Sequence, residues 1–377
     1  MGQYWDMFNV DRREKDLGGG GKLGEFFFDN MSSLYESLRI PRLPKDMDVW
    51  LSRGTVAIQP GPIGKLSTEV LEMLFGLLLD DSDPDSSDPN EDFLDCIIFA
   101  ICCKKLLTIG KRHILHTLVA RHARAADCRL ICLGGYAYPP DQAPPGMLTD
   151  AELEEIATTP DLDEDSYESV EEAIARRCLY NFAGERYKPA SMAYWTLFDP
   201  FRRTVDEFYI LQRQDPTVVR TMFSKLDLEM IRKLGGVGCL APGLEYAEGP
   251  RVLCNTTKGE YVREDTLVWW EVGYTIAMCC DEEHRARLVE GPWAGDRFRI
   301  VTVGEMPPLT GGRKWKDVTR EVNELLCHLL EGEFPEEYRK LIGSQKDGGE
   351  KGVGGKGDGE KEASQQEDSA KENGETV

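Results

Sequence analysis

Histidine and cysteine stand close together at two places in this chain, and each pairing invites a chemical reading. Cys102 and Cys103 precede His113, His116 and His122, offering sulfur and imidazole to a divalent metal. Structural zinc is usually held by paired ligands such as Cys-x-x-Cys, and that spacing occurs nowhere in the chain. His113 and His116 also share their segment with Lys104, Lys105, Lys111, Arg112 and Arg121, whose charge opposes a cation. The second pairing is Cys279-Cys280 with His284, a nucleophile and a base in outline. Asp281, Glu282 and Glu283 lie between them, and acidic neighbours raise a thiol's pKa and work against a thiolate. Buried, unreactive cysteine is the expected state. Asp161, Asp163, Glu164 and Asp165 alternate as part of a calcium loop would, but the sharp-turn glycine and the distal bidentate glutamate are missing. Gly134-Gly135 and Gly235-Gly236-Val237-Gly238 lack the Gly-Lys-Ser/Thr of a phosphate loop. The residues therefore imply no metal, no cofactor and no catalytic set.

Composition narrows the class further. The chain has 377 residues, 45 Lys and Arg against 67 Asp and Glu, and a formal charge of -22. Such a balance repels phosphate backbones. The one basic stretch, Lys104 to Arg129, has no interleaved aromatic from Leu106 onward, so nucleic acid is not expected as a partner. The longest apolar run, Cys96 to Cys103, falls far short of the roughly 20 residues that span a bilayer, so no membrane is expected either. The eleven cysteines sit mostly in apolar stretches and no export signal opens the chain, which points to reduced thiols in the cytoplasm or nucleus. No repeat of about 20 to 50 residues stands out.

The elements that would position a site follow from local pattern. Residues 1–60 hold short aromatic strands, Gln3 to Val10 and Lys22 to Phe28, expected to pack on the body. Residues 61–125 are helical, interrupted by a dense acidic loop at 80–92, with helices expected at Leu66 to Leu78, Phe93 to Ile109 and Lys111 to Arg124. Residues 126–342 mix strands (Arg129 to Leu133, Arg251 to Asn255, Glu260 to Arg263, Arg297 to Val303) with helices. Thr149-x-x-Glu152 and Ser169-x-x-Glu172 fit capping boxes, the second leading to a helix that stops at Gly184. Asp215-Pro216 opens a further helix, Asp227 to Leu234 forms another, and Asp317 starts the last. Leu267 to Cys280 reads equally as strand or helix. Residues 343–377 are almost free of large apolar side chains and are expected to be disordered. The mixture predicts an α+β fold.

One element carries more apolar surface than a single core can use. Stepping about 100° per residue from Leu66, the side chains of Leu66, Val70, Leu71, Met73, Leu74, Phe75, Leu77 and Leu78 cover an arc of about 200°. A helix lying on one core needs about 100°. The next helix is nearly as apolar. Either both are enclosed by their own chain, or one side docks a second protein.

The segment Gly64-Lys65-Leu66-Ser67-Thr68-Glu69-Val70-Leu71-Glu72-Met73-Leu74-Phe75, followed by Phe93-Leu94-Asp95-Cys96 and Cys102-Cys103-Lys104-Lys105-Leu106, resembles the F-box motif. Ser67 stands where the motif has proline, and serine is also a sound helix start. Met1-Gly2-Gln3-Tyr4-Trp5, Gly21-Lys22-Leu23-Gly24-Glu25-Phe26, Glu260-Tyr261-Val262-Arg263 and Pro292-Trp293-Ala294-Gly295-Asp296-Arg297-Phe298 are similar to a group of fungal proteins, some with F-box-like segments. The F-box resemblance implies an adaptor: a substrate receptor of a cullin-RING ubiquitin ligase that binds a Skp-type adaptor through residues 64–124 and a target through the rest. By analogy the contacts would come from Leu66, Val70, Leu71, Leu74 and Phe75, with Leu94, Ile98 and Ile101 from the next helix. The alternatives are a cytosolic enzyme of unidentified type, or an interaction protein acting alone.

Overall fold

The computed structural model describes residues 4–17, 21–22, 32–52, 61–79, 89–135, 143–159, 177–190, 225–235, 244–266, 279–280, 291–336 and 338–339. In chain order its strands and helices are β1 (Tyr4–Asn9), β2 (Glu14–Lys15), β3 (Gly21–Lys22), α1 (Ser32–Leu38), α2 (Lys45–Ser52), α3 (Pro62–Lys65), α4 (Thr68–Leu78), α5 (Pro89–Ile101), α6 (Lys104–His122), β4 (Leu130–Gly134), α7 (Asp150–Thr158), α8 (Leu179–Arg186), β5 (Lys188–Pro189), α9 (Lys225–Leu234), β6 (Arg251–Asn255), β7 (Glu260–Arg263), β8 (Cys279–Cys280), β9 (Phe298–Thr302), β10 (Lys316–Asp317) and α10 (Thr319–Glu333). The fold is α+β. The chain divides into two units, Met1–Leu326 and Cys327–Val377. In the second, the described residues are the end of α10 and a turn in which the Tyr338 N–H donates to the Phe334 carbonyl at 3.0 Å. Among the described residues no helix is long and apolar enough to cross a membrane.

The two sheets of the first unit repeat one design. Their strand orders are β5-β2-β1-β4-β8 and β10-β7-β6-β9. In each, a hairpin pairs an asparagine with a glutamate five residues on: Asn9 with Glu14, and Asn255 with Glu260. A later strand then lies antiparallel to the hairpin's first strand, from Asn9 opposite Leu130 to Trp5 opposite Gly134, and from Asn255 opposite Phe298 to Arg251 opposite Thr302. A last, short strand runs parallel to the hairpin's second strand, Lys188 beside Glu14 and Lys316 beside Glu260.

The equivalence reaches individual bonds. Both asparagines are 0% exposed, and each side-chain oxygen accepts the N–H three residues on, from Arg12 at 3.1 Å and from Lys258 at 3.0 Å. The next positions are left-handed in both hairpins, Arg13 at φ 52 and Gly259 at φ 74. So are the turns that enter β4 and β9, Asp127 at φ 59 and Gly295 at φ 78. Arg129 and Arg297, which occupy the same place in the two copies, bridge each other antiparallel. Around that point the Asp127 N–H donates to the Phe298 carbonyl and the Gly295 N–H to the Leu130 carbonyl, at 2.6 and 2.8 Å. These contacts relate the copies by a local pseudo-twofold.

Each copy also lends backbone to the other. Cys279, from the connection between β7 and β9, runs parallel to Cys132 of β4. Arg39, from the connection between β3 and β4, runs parallel to Ile300 of β9, the residue equivalent to Cys132. The body is thus a four-stranded unit present twice, with β3 added to β1 in the first sheet, and each copy is met at its third strand by a short pairing from the other. The absence of a short sequence repeat stands beside this duplication of a much longer unit.

The helices α2 to α6 fill the long connection of the first copy. They share one core with α9, built from Met47, Leu71, Phe75, Phe93, Ile97, Leu107, Ile114, Leu118 and Ile231 among others. A second core, with Phe8, Ile131, Leu133, Ile156 and Leu179, packs α7 and α8 on the first sheet. The Thr149–Glu152 capping box forms in full.

Some boundaries differ from expectation. The break between α5 and α6 falls at Cys102-Cys103, and Gly110 lies inside α6 because Phe75 occupies the space a side chain there would fill. A Cβ at Gly110 would approach the Phe75 ring to 2.6 Å. Gly184 lies inside α8, which ends at Arg186 with Tyr187 as its C-cap. Helix α5 begins at Pro89, taking the last residues of the acidic block with it. The rest of that block, Lys22 to Phe28 beyond Lys22, the 161–165 carboxylates, the Ser169 capping box, Asp215-Pro216, 267–278, His284 and the 343–377 tail lie outside the described residues.

Candidate partner-docking face

Helix α4 is set in place by its ends and by one aromatic ring. Ser67 is its N-cap, accepting the Val70 N–H at 3.5 Å, in the manner that satisfies a free helix donor. Glu69, in the first turn, lies below the usual carboxylate range because its own backbone N–H and then Ser67 donate to it. The Lys105 ammonium donates to the carbonyls of Gly64 and Leu66 at 3.3 and 2.9 Å, fixing the chain as it leaves α3. Phe75 stacks on His113 with ring centres 5.5 Å apart, and tilts against Phe99 at 5.2 Å. Arg112 pairs with Glu72 at 2.6 Å. The basic residues of α6 are therefore partly spent within the chain: Lys104 donates to Leu51, and Arg124 just beyond the helix pairs with Glu14.

This anchoring decides which residues face out. Leu71 and Phe75 are fully buried, as are Leu94 and Ile101 to within 8%. Leu66, Leu74 and Ile98 are half-buried against the same core. Val70 is 41% exposed, Met73 67% and Leu77 68%. These three recur at helical spacing and form one outward stripe, beside Gly76, which has open space on its outer side. Ile63 on α3 is also exposed. Of the eight residues that the resemblance implied as contacts, the structure turns Val70 outward, leaves three half-covered and puts four inside. Met73 and Leu77 complete the exposed stripe. Their signal was present in the sequence: both fall within about 40° of Leu66 on the helical projection.

Burial governs the shifted thiols and imidazole beside this face. Burial pushes the Cys96 thiol up to about 12 and raises Cys102 as well. His113 is lowered, first by burial and then by Arg112. Among the described residues no three His, Cys, Asp or Glu side chains gather as a metal site. What the arrangement presents is a firmly seated apolar stripe, which suits association rather than bond-making. Compared with family models, curated proteins and solved structures, the chain matches none.

Proposed function

We propose that the chain is an F-box-like adaptor, a substrate receptor of a cullin-RING ubiquitin ligase acting in the cytoplasm or nucleus. The helical insertion docks a Skp-type adaptor, and the duplicated sheets present the target-binding region. One observation supports this above the others: the helix that resembles the F-box carries an uncovered apolar stripe, Val70, Met73 and Leu77, while its opposite side is locked by Phe75 over Gly110. Exposing such side chains is unfavourable unless a partner removes them from water. The resemblance names that partner. Helix-face recognition by three anchors at helical spacing is a general mode of docking.

Co-expression with a Skp-type adaptor tests the reading. The wild-type chain should co-purify with it, and Met73→Asp or Leu77→Asp should weaken the complex at least about tenfold with an unchanged circular dichroism spectrum. Both positions are two-thirds exposed, so the free fold should tolerate them. A wild-type chain that stays apart from the adaptor would remove the proposal. Self-association through the same stripe, lost in the same variants, would favour an interaction protein acting alone.

A further inference from the structure

Where the two sheet copies diverge, the second has gathered arginines. A cleft of about 180 Å³ lies along the outer edge of β9, lined by Arg39, Arg42, Arg251, Arg299, Tyr246 and Glu305 among others. The equivalent edge, on β4 in the first copy, is paired with β8. On β9 that edge is met only at single points among the described residues, by the Asp127 N–H at Phe298 and by the Arg39 bridge at Ile300.

Three of the four arginines have counterparts that are not basic. By strand register Arg251 corresponds to Trp5 and Arg299 to Ile131, and Arg39 corresponds to Cys279. Trp5 and Ile131 are 2% and 0% exposed. The fold is therefore built in one copy with apolar groups at the strand positions where the other places guanidinium groups. The cations answer to something besides the register of the sheet.

Carboxylates hold these arginines in place. Asp127 accepts from the Nε and Nη2 of Arg299, and Glu264 from the Nε and Nη2 of Arg251. Both pairs use the same edge of the guanidinium, so the Nη1 donors are the ones left over among the described residues. Arg39 is held by Glu36 at 2.9 Å and lies over the Tyr246 ring, 3.6 Å from its centre. Arg42 pairs with Glu305 inside the cleft. Four cations meet four carboxylates, so attraction at long range is weak, and directed N–H donors at fixed positions are what the cleft offers. Oriented guanidinium groups suit the several oxygens of a tetrahedral anion better than the single edge of a carboxylate. The volume admits a phosphoryl group with a small carrier and is too small for a drug-sized ligand.

We propose that this cleft binds a phosphoryl dianion, with Arg39, Arg251 and Arg299 as donors and Glu305 as the internal anion that the ligand displaces from Arg42. The site is separate from the helical docking face, and neither proposal depends on the other.

Calorimetric titration of the full chain at low salt tests it, with inorganic phosphate and O-phosphoserine as probes. Saturable binding is expected for at least one of them at up to about 10 mM. Arg251→Gln should weaken it about tenfold or more, the loss of one charge-assisted contact. Glu305→Gln, which removes the competing carboxylate, should tighten it several-fold, and this variant keeps the outcome readable if Arg251→Gln fails to fold. Tighter binding of O-phosphoserine assigns the group to an ester, and tighter binding of phosphate to the free anion. Saturation by neither probe, or equal affinities in wild type and both variants, would overturn the proposal.

Discussion

The two sheets share a register and differ in dressing. In the first, β4 is sealed on both faces, with Leu130, Ile131 and Leu133 all 0% exposed. In the second, β9 alternates: Phe298 and Ile300 are buried while Arg299 and Val301 are half-exposed. The first copy buries Glu14 to 4% and answers it with Arg12 and Arg124. The second uses the equivalent Glu260 to accept the Trp293 indole N–H at 2.8 Å. The features kept in both are the buried asparagine, the left-handed residue four places on and the left-handed turn into the third strand. Features that survive such divergence are the ones the shared backbone path needs. Those that differ are free to serve other ends.

The largest effect should come from a kept feature. A Cβ at Gly295 would stand 2.3 Å from the Met147 sulfur, in a left-handed backbone besides. Gly295→Ala is expected to lower stability by about 3 kcal/mol, combining backbone strain with overpacking. The partner position offers the contrast. Asp127→Gly relieves a left-handed non-glycine residue but loses the pair with Arg299, so it should cost well under half as much. Urea unfolding of both variants decides: similar losses would mean that the turns are not equivalent.

The asparagines come next. Asn255→Ala removes the donor to Asp296 at 2.7 Å from a carboxyl that burial already holds above its usual range, and should cost about 2 to 3 kcal/mol. Asn9→Ala strips a neutral carbonyl, that of Arg124 at 3.3 Å, and should cost about 1 to 2 kcal/mol. A reversed order would show that the carboxylate is adequately served by Lys258, 3.0 Å away.

Much of this architecture was legible locally and little of it globally. Strands Arg251 to Asn255 and Glu260 to Arg263 match β6 and β7 to the residue, because alternation and flanking turns are short-range signals. The duplication was not legible. Its copies keep few identical residues, and the connections between equivalent strands differ in length, so no fixed period exists. The α5–α6 break was misplaced because Gly110 has two physical uses, and only tertiary packing against Phe75 chooses between them. The apolar excess of α4 was legible as an arc. Which part of the arc faces outward depends on where α5 and α6 lie, and the pattern of one helix does not contain that.

Among the described residues the first copy alone carries the helical insertion, and His122 at its end gives that difference a pH signature. The Nε2 of His122 is buried without a hydrogen-bond partner, and burial, then Arg121, lowers its pKa from 6.5 to about 4. The unfolded chain therefore takes up a proton that the folded chain refuses. The contribution of His122 should be constant above pH 6.5 and fall between about 6.5 and 4, by an amount of order 3 kcal/mol. The Glu152 carboxylate, held near 2 chiefly by Arg129, stabilises above its unfolded value and is lost only below about 4.5. His122→Leu should flatten the curve between pH 6.5 and 4.5 in denaturant titrations, and an unchanged slope would assign it elsewhere.

The smallest effect is the most exacting test of equivalence. Arg13 and Gly259 occupy one left-handed position in the two hairpins. Glycine there is unstrained, and arginine costs about 1 kcal/mol. Arg13 recovers part of this through Glu155, at 2.5 Å, with both side chains more than a third exposed. An exposed pair of that kind contributes about 0 to 1 kcal/mol and weakens with salt. Arg13→Gly should therefore change stability by less than about 0.5 kcal/mol at low salt and be better tolerated at high salt, as the lost pair ceases to matter while the relieved strain offsets the greater unfolded-state entropy of glycine. A loss above about 1 kcal/mol that persists in salt would mean that the arginine stem, packed where Gly259 has nothing, supports α7 on the first sheet. The hairpins would then share a backbone path without sharing the reason for it.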